Sequence, residues 1–260
     1  VDVDLRDKVI VITGASSGFG EQIARQCSRR GARVVLAART AERLEQLASE
    51  LGQRDERALA VAADVTSETD VARLAATTLD RFGRADVLVA NAGFGVFDRI
   101  ADARVNDLRE MVDVNVLGAA HSVKAFLPGM LQRRSGQVVI MGSIAGLIAT
   151  HNMGYYSATK FALVGLARSL MLELHGTNVR CALICPGIAP TGFQQRAGAA
   201  KYPRITRLVA CTSEQVAEAA VRAIRRRTHG EVVVPWHGRA LSILANPIPG
   251  LSRLVIRLVG

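Results

Sequence analysis

The sequence predicts a doubly wound α/β fold, a parallel sheet of seven strands with helices on both faces. Three observations carry that expectation. Short β-branched runs alternate with amphipathic stretches along most of the chain. Most of these runs are continuously apolar rather than alternating, as in strands buried on both faces of a parallel sheet. A glycine cluster stands between the first run and the first helical stretch, early in what reads as a βαβ unit.

The elements follow in order. A strand over 9–13 (VIVIT) leads through the glycines to a helix over about 19–30. A second strand, 33–38, precedes a helix over 41–51. A third, 58–62, precedes a helix over 67–82 that opens with Ser67 before Glu68, a helix-start signal. The fourth, 87–90, leads to a long helical pattern at 106–133, and the fifth, 137–141, to another at 156–175. A strand over 179–185, a helix over 213–226 announced by Thr212-Ser213 ahead of Glu214, and a strand over 231–234 complete the alternation. No repeat, low-complexity tract or linker interrupts it, so 260 residues form one α/β domain over 1–236 with an extension at 237–260. Residues 186–211 are too irregular for a core helix and read as a substrate loop.

Composition excludes several classes. At 49% hydrophobic and 22% charged residues the chain can bury a core, so disorder is excluded as the dominant state. Cys27, Cys181, Cys185 and Cys211 form no CxxC pair, which argues against a disulfide framework or zinc site and for buried thiols. The net charge of +10 comes mostly from arginine, scattered in doublets and one triplet at 225–227. That distribution reads as a solvated face, and with 4% aromatics there is little on which to stack bases, so no nucleic-acid partner is expected. The N-terminal residues do not resemble a signal peptide, and no apolar run approaches the roughly 20 residues of a spanning helix. A soluble, cytoplasmic protein is expected. Membrane contact is expected only through the extension, by Leu251, Leu254, Val255 and Leu258.

The cluster Thr13-Gly14-Ala15-Ser16-Ser17-Gly18-Phe19-Gly20 follows a strand and opens a helix. Gly14 allows the tight turn, Gly18 a close approach of backbone to phosphate, and Gly20 close packing of helix on sheet. The helix start offers free N–H groups to a pyrophosphate. At the end of the second strand, where an acid would grip an NAD ribose hydroxyl, Ala38 is followed by Arg39. A guanidinium binds a 2′-phosphate, so NADP(H) is favoured over NAD(H), although a surface arginine capping a strand has the same sequence. Ser17 supplies no second cation in the turn. Asp64-Val65, after the third strand, is placed for an adenine ring or for a turn.

Tyr156 and Lys160 are four residues apart at the start of a helical pattern and share a face. A phenol has an ordinary pKa of about 10, and a nearby ammonium favours its phenolate, bringing it toward working pH. Ser143 follows the fifth strand, where a hydroxyl can hold a carbonyl oxygen as charge develops, or simply shape a turn.

In TGASSGFG at 13–20, Asp64-Val65, Asn91-Ala92-Gly93, Asn115, Ser143, Tyr156-Ser157-Ala158-Thr159-Lys160, and Pro186-Gly187 with Thr191, the sequence resembles a short-chain dehydrogenase/reductase. The likeness runs from about residue 5 to 234 and implies a Rossmann-type fold. It implies Tyr156 as general acid–base, Lys160 as the group that lowers its pKa and holds the nicotinamide ribose, and Ser143 as the residue orienting the substrate oxygen. Asn115 would anchor a water linked to Lys160, Asn91-Ala92-Gly93 would support the sheet beside the cofactor, and Thr191 would touch the carboxamide. The expected activity is hydride transfer between NADP(H) and a carbonyl or secondary alcohol. An NADP-binding regulator without turnover is the alternative.

The expected substrate side holds Phe94, Val96, Ile144, Leu147, Ile148, His151, Met153, Tyr155 and Ile188, which points to a hydrophobic small molecule. A homodimer through the helices near 106–133 and 156–175, or a homotetramer, is expected. The extension at 237–260 would pack on the domain, on a partner subunit or on a membrane surface.

Overall fold

The computed structural model describes residues 2–52, 57–149, 151–189 and 209–240. Its seven strands are β1 (Val9–Thr13), β2 (Arg33–Ala38), β3 (Ala58–Ala62), β4 (Val87–Ala90), β5 (Gly136–Met141), β6 (Val179–Pro186) and β7 (Gly230–Val234). All neighbouring pairs are parallel, in the order β3-β2-β1-β4-β5-β6-β7. The chain winds outward from β1 to β3, then crosses back to place β4 on the other side of β1. Connections therefore diverge between β1 and β4, leaving a crevice at the carboxyl ends of those strands, the usual ligand site of such sheets.

The helices are α1 (Gly18–Ser28), α2 (Ala41–Gly52), α3 (Glu68–Phe82), α4 (Val105–Met111), α5 (Gly118–Gln132), α6 (Gly154–Glu173) and α7 (Ser213–Arg225). Side-chain alternation divides the apolar runs between two cores. Val9 and Val11 face the core that Leu74, Phe126, Leu163 and Leu170 close from α3, α5 and α6. Ile10 and Ile12 face the core closed by Ile23 of α1, Leu44 of α2 and Val216 and Ile224 of α7. Burial on both faces is why these strands read as unbroken apolar segments. Truncating a side chain such as Ile12, fully buried, to alanine would cost about 2–5 kcal/mol.

Local signals set several boundaries. Ser67 caps α3 by accepting from Asp70 N at 3.2 Å, and Gly83 ends that helix in the left-handed region at φ +73°. Thr212 and Gln215 form a reciprocal capping box at the start of α7.

One expected helix proves to be two. Between α4 and α5 the backbone takes a six-residue π-helical segment, Val112–Leu117, with Asn115 at 0% exposure inside it. Asn115 Oδ1 accepts from Phe94 N at 2.9 Å, and its Nδ2 donates to Phe94 O at 2.9 Å and to Thr159 Oγ1 at 3.1 Å. These long-range bonds accompany the wider turn and tie the amide to the chain after β4 and to α6.

Candidate active site

A cleft enclosing about 430 Å³ runs along the carboxyl ends of the central strands. Its lining includes most of the residues expected from sequence: Gly14, Ser16, Ser17, Gly18, Phe19, Arg39, Asp64, Val65, Asn91, Ala92, Gly93, Ser143, Tyr156, Lys160, Pro186 and Gly187. Gly20 lies behind the glycine turn, and Asn115 behind Gly93. Thr191 and the loop over 190–208 lie outside the described residues, as do residues 241–260 of the extension.

The glycine turn is shaped by close contact. Gly14 takes φ +65° and Gly18 φ +59°, conformations that suit glycine. A Cβ on Gly20 would stand 2.3 Å from Gly14 O, so only glycine lets α1 pack on the turn. Asn91 staples β4 to β1: its Nδ2 donates to Thr13 O at 2.9 Å and to Gly14 O at 3.2 Å. The N–H groups of Asn91 and Ala92 in turn donate to Thr13 Oγ1 at 3.0 and 3.1 Å. Ser17 at the N-cap of α1 makes no side-chain cap bond, which leaves the first-turn N–H groups without that acceptor. A cradle without side chains and an uncapped, electropositive helix start suit a dinucleotide pyrophosphate.

Beyond the turn, Ala38, Arg39 and Thr40 line the cleft, and Arg39 is exposed. Asp64 lies near it. Burial opposes the charge of Asp64, but hydrogen bonds from Thr66 N and Thr66 Oγ1 at 2.9 and 2.8 Å, with the field of Arg39, hold its carboxyl below the ordinary range. Asp64 thus both shapes a turn and faces the cleft. Gly118 makes room for its neighbour, since a Cβ there would lie 2.5 Å from Val65 Cγ2.

At the other end, α6 brings Tyr156 and Lys160 to Ser143. Ser143 caps the 3-10 turn Ile144–Gly146, accepting from Ala145 N at 3.1 Å and donating to Pro186 O at 3.4 Å. Lys160 is 5% exposed and donates from Nζ to Met141 O at 3.0 Å. Burial pushes its ammonium down to about 8. Its Nζ stands 5.7 Å from the Tyr156 ring centroid. Thr159 donates to Tyr156 O at 2.8 Å, so Asn115, Thr159 and Tyr156 form one bonded chain.

The substrate side differs from expectation. Phe94, Met153 and Ile188 line the cleft, but Ile144, Leu147 and Ile148 are buried in the core against α6. The 3-10 turn after Ser143 curls them inward. Tyr155 and Val96 pack around Phe97, Met111 and Met153, and His151 is exposed. Two of the residues that shape this side, Phe97 and Gly146, carry no role in the sequence reading. Phe97 lines the cleft with its ring 5.3 Å from that of Tyr156, tilted by 59°. Gly146 lets the Ser143 turn lie against α6, because a Cβ there would come within 2.5 Å of Lys160 O. An MGSIAG sequence after a strand carried the second signal; nothing local carried the first.

All four cysteines are free and buried, and burial pushes the thiols of Cys27, Cys181 and Cys185 up to about 12. Among the described residues no cluster of three or more His, Cys, Asp or Glu could hold a metal, and no helix is long and apolar enough to cross a membrane.

A glycine turn for a dinucleotide and a Tyr–Lys pair beside a serine, at the switch point of a doubly wound sheet, define a nicotinamide-dependent oxidoreductase. Residues 8–201 match the family model of the short chain dehydrogenases. An uncharacterized oxidoreductase of Staphylococcus epidermidis is 33% identical over 228 residues, covering 88% of this chain and 95% of the relative. One of Staphylococcus aureus is 36% identical with the same coverage. Among solved structures, a short chain dehydrogenase/reductase of Burkholderia phymatum in complex with NAD superposes with a TM-score of 0.86, at 30% identity and 96% coverage of both chains. An alcohol dehydrogenase of Thermococcus sibiricus complexed with 5-hydroxy-NADP gives 0.77 at 32% identity, covering 88% of this chain and 96% of that one. The chain belongs to the short-chain dehydrogenase family.

Proposed function

We propose that this protein is an NADP(H)-dependent oxidoreductase acting on a carbonyl or secondary alcohol of a hydrophobic small molecule. The observation that carries the reading is the meeting of Ser143, Tyr156 and Lys160 in the same cleft as the glycine turn and Arg39. Gly14 to Gly20 and α1 would hold the pyrophosphate, Asp64 and Val65 the adenine, and Arg39 the 2′-phosphate. Asn91, Ala92, Gly93, Pro186, Gly187 and Thr191 would bound the nicotinamide half. A bound nicotinamide supplies or accepts the hydride.

The chain's own residues manage the oxygen and its proton. Ser143 Oγ orients the substrate oxygen by hydrogen bonding. Tyr156 Oη gives a proton to that oxygen in reduction and takes it back in oxidation. Lys160 stabilises the phenolate left on Tyr156 and holds the nicotinamide ribose, and Asn115 keeps α6 aligned with the cleft through Thr159. Phe94, Phe97 and Met153 offer apolar surface and exclude water around the reacting carbon.

Titration with NADPH and NADH, followed by fluorescence, tests the cofactor, and oxidation of NADPH in the presence of aliphatic and aromatic ketones tests the reaction. Preferential NADPH binding with ketone-dependent turnover is expected. NADH preference overturns the cofactor assignment. Binding without turnover of any carbonyl compound favours the regulatory alternative.

A further inference from the structure

Arg43 is absent from the cleft lining, yet it reaches back to the cleft's outer end. Thr40 stands just before α2, where its carbonyl accepts from Leu44 N at 3.3 Å, and Arg43 is three residues on. A side chain in that position can reach back over the start of its helix. Its Nε donates to Ser16 O at 3.4 Å, across the opening between the glycine turn and the end of β2.

The contacts Arg43 makes are long. Nη1 lies 3.4 Å from Gln46 Oε1, and Nη2 lies 3.7 Å from Glu21 Oε2. Bonds of such length are weak. Glu21 does not depend on this arginine, because Arg25 holds it with bonds of 2.9 and 2.8 Å. Half of the Arg43 side chain is exposed, so a guanidinium with weakly engaged donors stands beside Ser16, facing the side of the cleft where Arg39 and Thr40 lie.

We propose that Arg43 is a second cation of the 2′-phosphate site, turning from Ser16 and Glu21 onto the phosphate that Arg39 receives. The inference rests on the NADP(H) reading above. A phosphate dianion offers charge-assisted bonds of about 2.7–2.9 Å, roughly twice as strong as neutral ones. Exchanging three long contacts for such bonds favours the bound arrangement. The glycine turn has no basic residue at Ser17, and α2 supplies the missing charge from the opposite wall.

A purely structural Arg43 would hold α2 against the glycine turn and affect every adenine nucleotide alike. The test is a titration of the wild type, Arg43→Ala, Arg43→Gln and Arg39→Ala with NADPH, NADH, 2′,5′-ADP and 5′-AMP, with melting temperatures recorded. Both Arg43 variants should weaken NADPH and 2′,5′-ADP about tenfold while NADH and 5′-AMP change by less than about twofold. Equal losses with all four ligands, or no loss in a protein that prefers NADPH through Arg39, would overturn the role of Arg43 alone. A wild type indifferent to the 2′-phosphate would overturn the cofactor reading and this inference together.

Discussion

Lys160 Nζ stands 5.7 Å from the centre of the Tyr156 ring, held by its 3.0 Å hydrogen bond to Met141 O. The i,i+4 spacing on α6 gives the two side chains a common face. The sheet then fixes the lysine, since Met141 is the last residue of β5. An ammonium stripped of water in this way is costly, and a phenolate beside it relieves that cost. The stabilisation is mutual, which links the buried lysine to the chemistry proposed for Tyr156.

Tyr156→Phe removes the phenol oxygen and keeps the ring that packs against Phe97. With any ketone that the wild type reduces, turnover should fall by about 10²–10⁴-fold, the usual contribution of a general acid–base. Cofactor binding should change little. Steady-state rates and a fluorescence titration measure the two quantities, and a variant retaining most of its rate would remove Tyr156 from the mechanism.

Lys160 also makes stability depend on pH. Its proton is held at about 8 in the folded protein against 10.5 as the ordinary value. Below pH 8 both states are protonated and folding bears the whole desolvation cost. Between 8 and 10.5 the unfolded chain keeps the proton and the folded one releases it, so the cost falls as pH rises. The difference amounts to about 3 kcal/mol at 1.36 kcal/mol per pKa unit. The stability of Lys160→Met relative to wild type, from urea unfolding, should therefore fall between pH 7.5 and pH 10. A pH-independent difference would contradict this.

The sheet was legible because its strands are buried on both faces and so are written as continuous apolar runs. The predicted 9–13, 33–38, 58–62 and 87–90 coincide with β1 to β4. Gly14, Gly20, Tyr156 and Lys160 were legible because their spacing is itself the local geometry. Asn115 was visible as a residue, but its π-helical setting was not, because the bonds beside it run to Phe94 and Thr159, 21 and 44 residues away. Phe97 and the inward turn of Ile144, Leu147 and Ile148 were hidden for the same reason. An apolar residue after a strand does not say which side of the next turn it will occupy.

Asn115→Ala tests whether that π-helical segment is held from outside. The substitution leaves Phe94 N and O, both satisfied by one amide, without these partners. A fully buried polar group left unpaired costs about 1–3 kcal/mol, and with Phe94 half-buried the two groups together should lower unfolding stability by roughly 1–3 kcal/mol. Turnover should fall further than cofactor affinity, because Thr159 and the start of α6 lose their alignment. Urea denaturation and kinetics on the same preparation separate the effects, and an unchanged midpoint would mean that the segment holds itself.

The outer face of α6 bears on assembly. Leu172 is 78% exposed and Phe161 42%, and they lie eleven residues apart. At about 100° per residue they share one side of the helix. Gly165 lies between them with no atom within 4 Å of where a Cβ would stand, so the strip is flat and open. Leu117, at the end of the π-helical segment, adds a further exposed apolar side chain at 44%. Nothing among the described residues covers these side chains, and burying large apolar residues against a second copy would contribute about 25 cal/mol per Å². The expected outcome is a wild-type dimer by sedimentation at micromolar concentration. Leu172→Glu should dissociate it toward monomer while leaving the monomer folded, because the side chain makes no contribution to either core. A wild type that sediments as a monomer, or a dimer indifferent to Leu172→Glu, would remove this face of α6 from assembly.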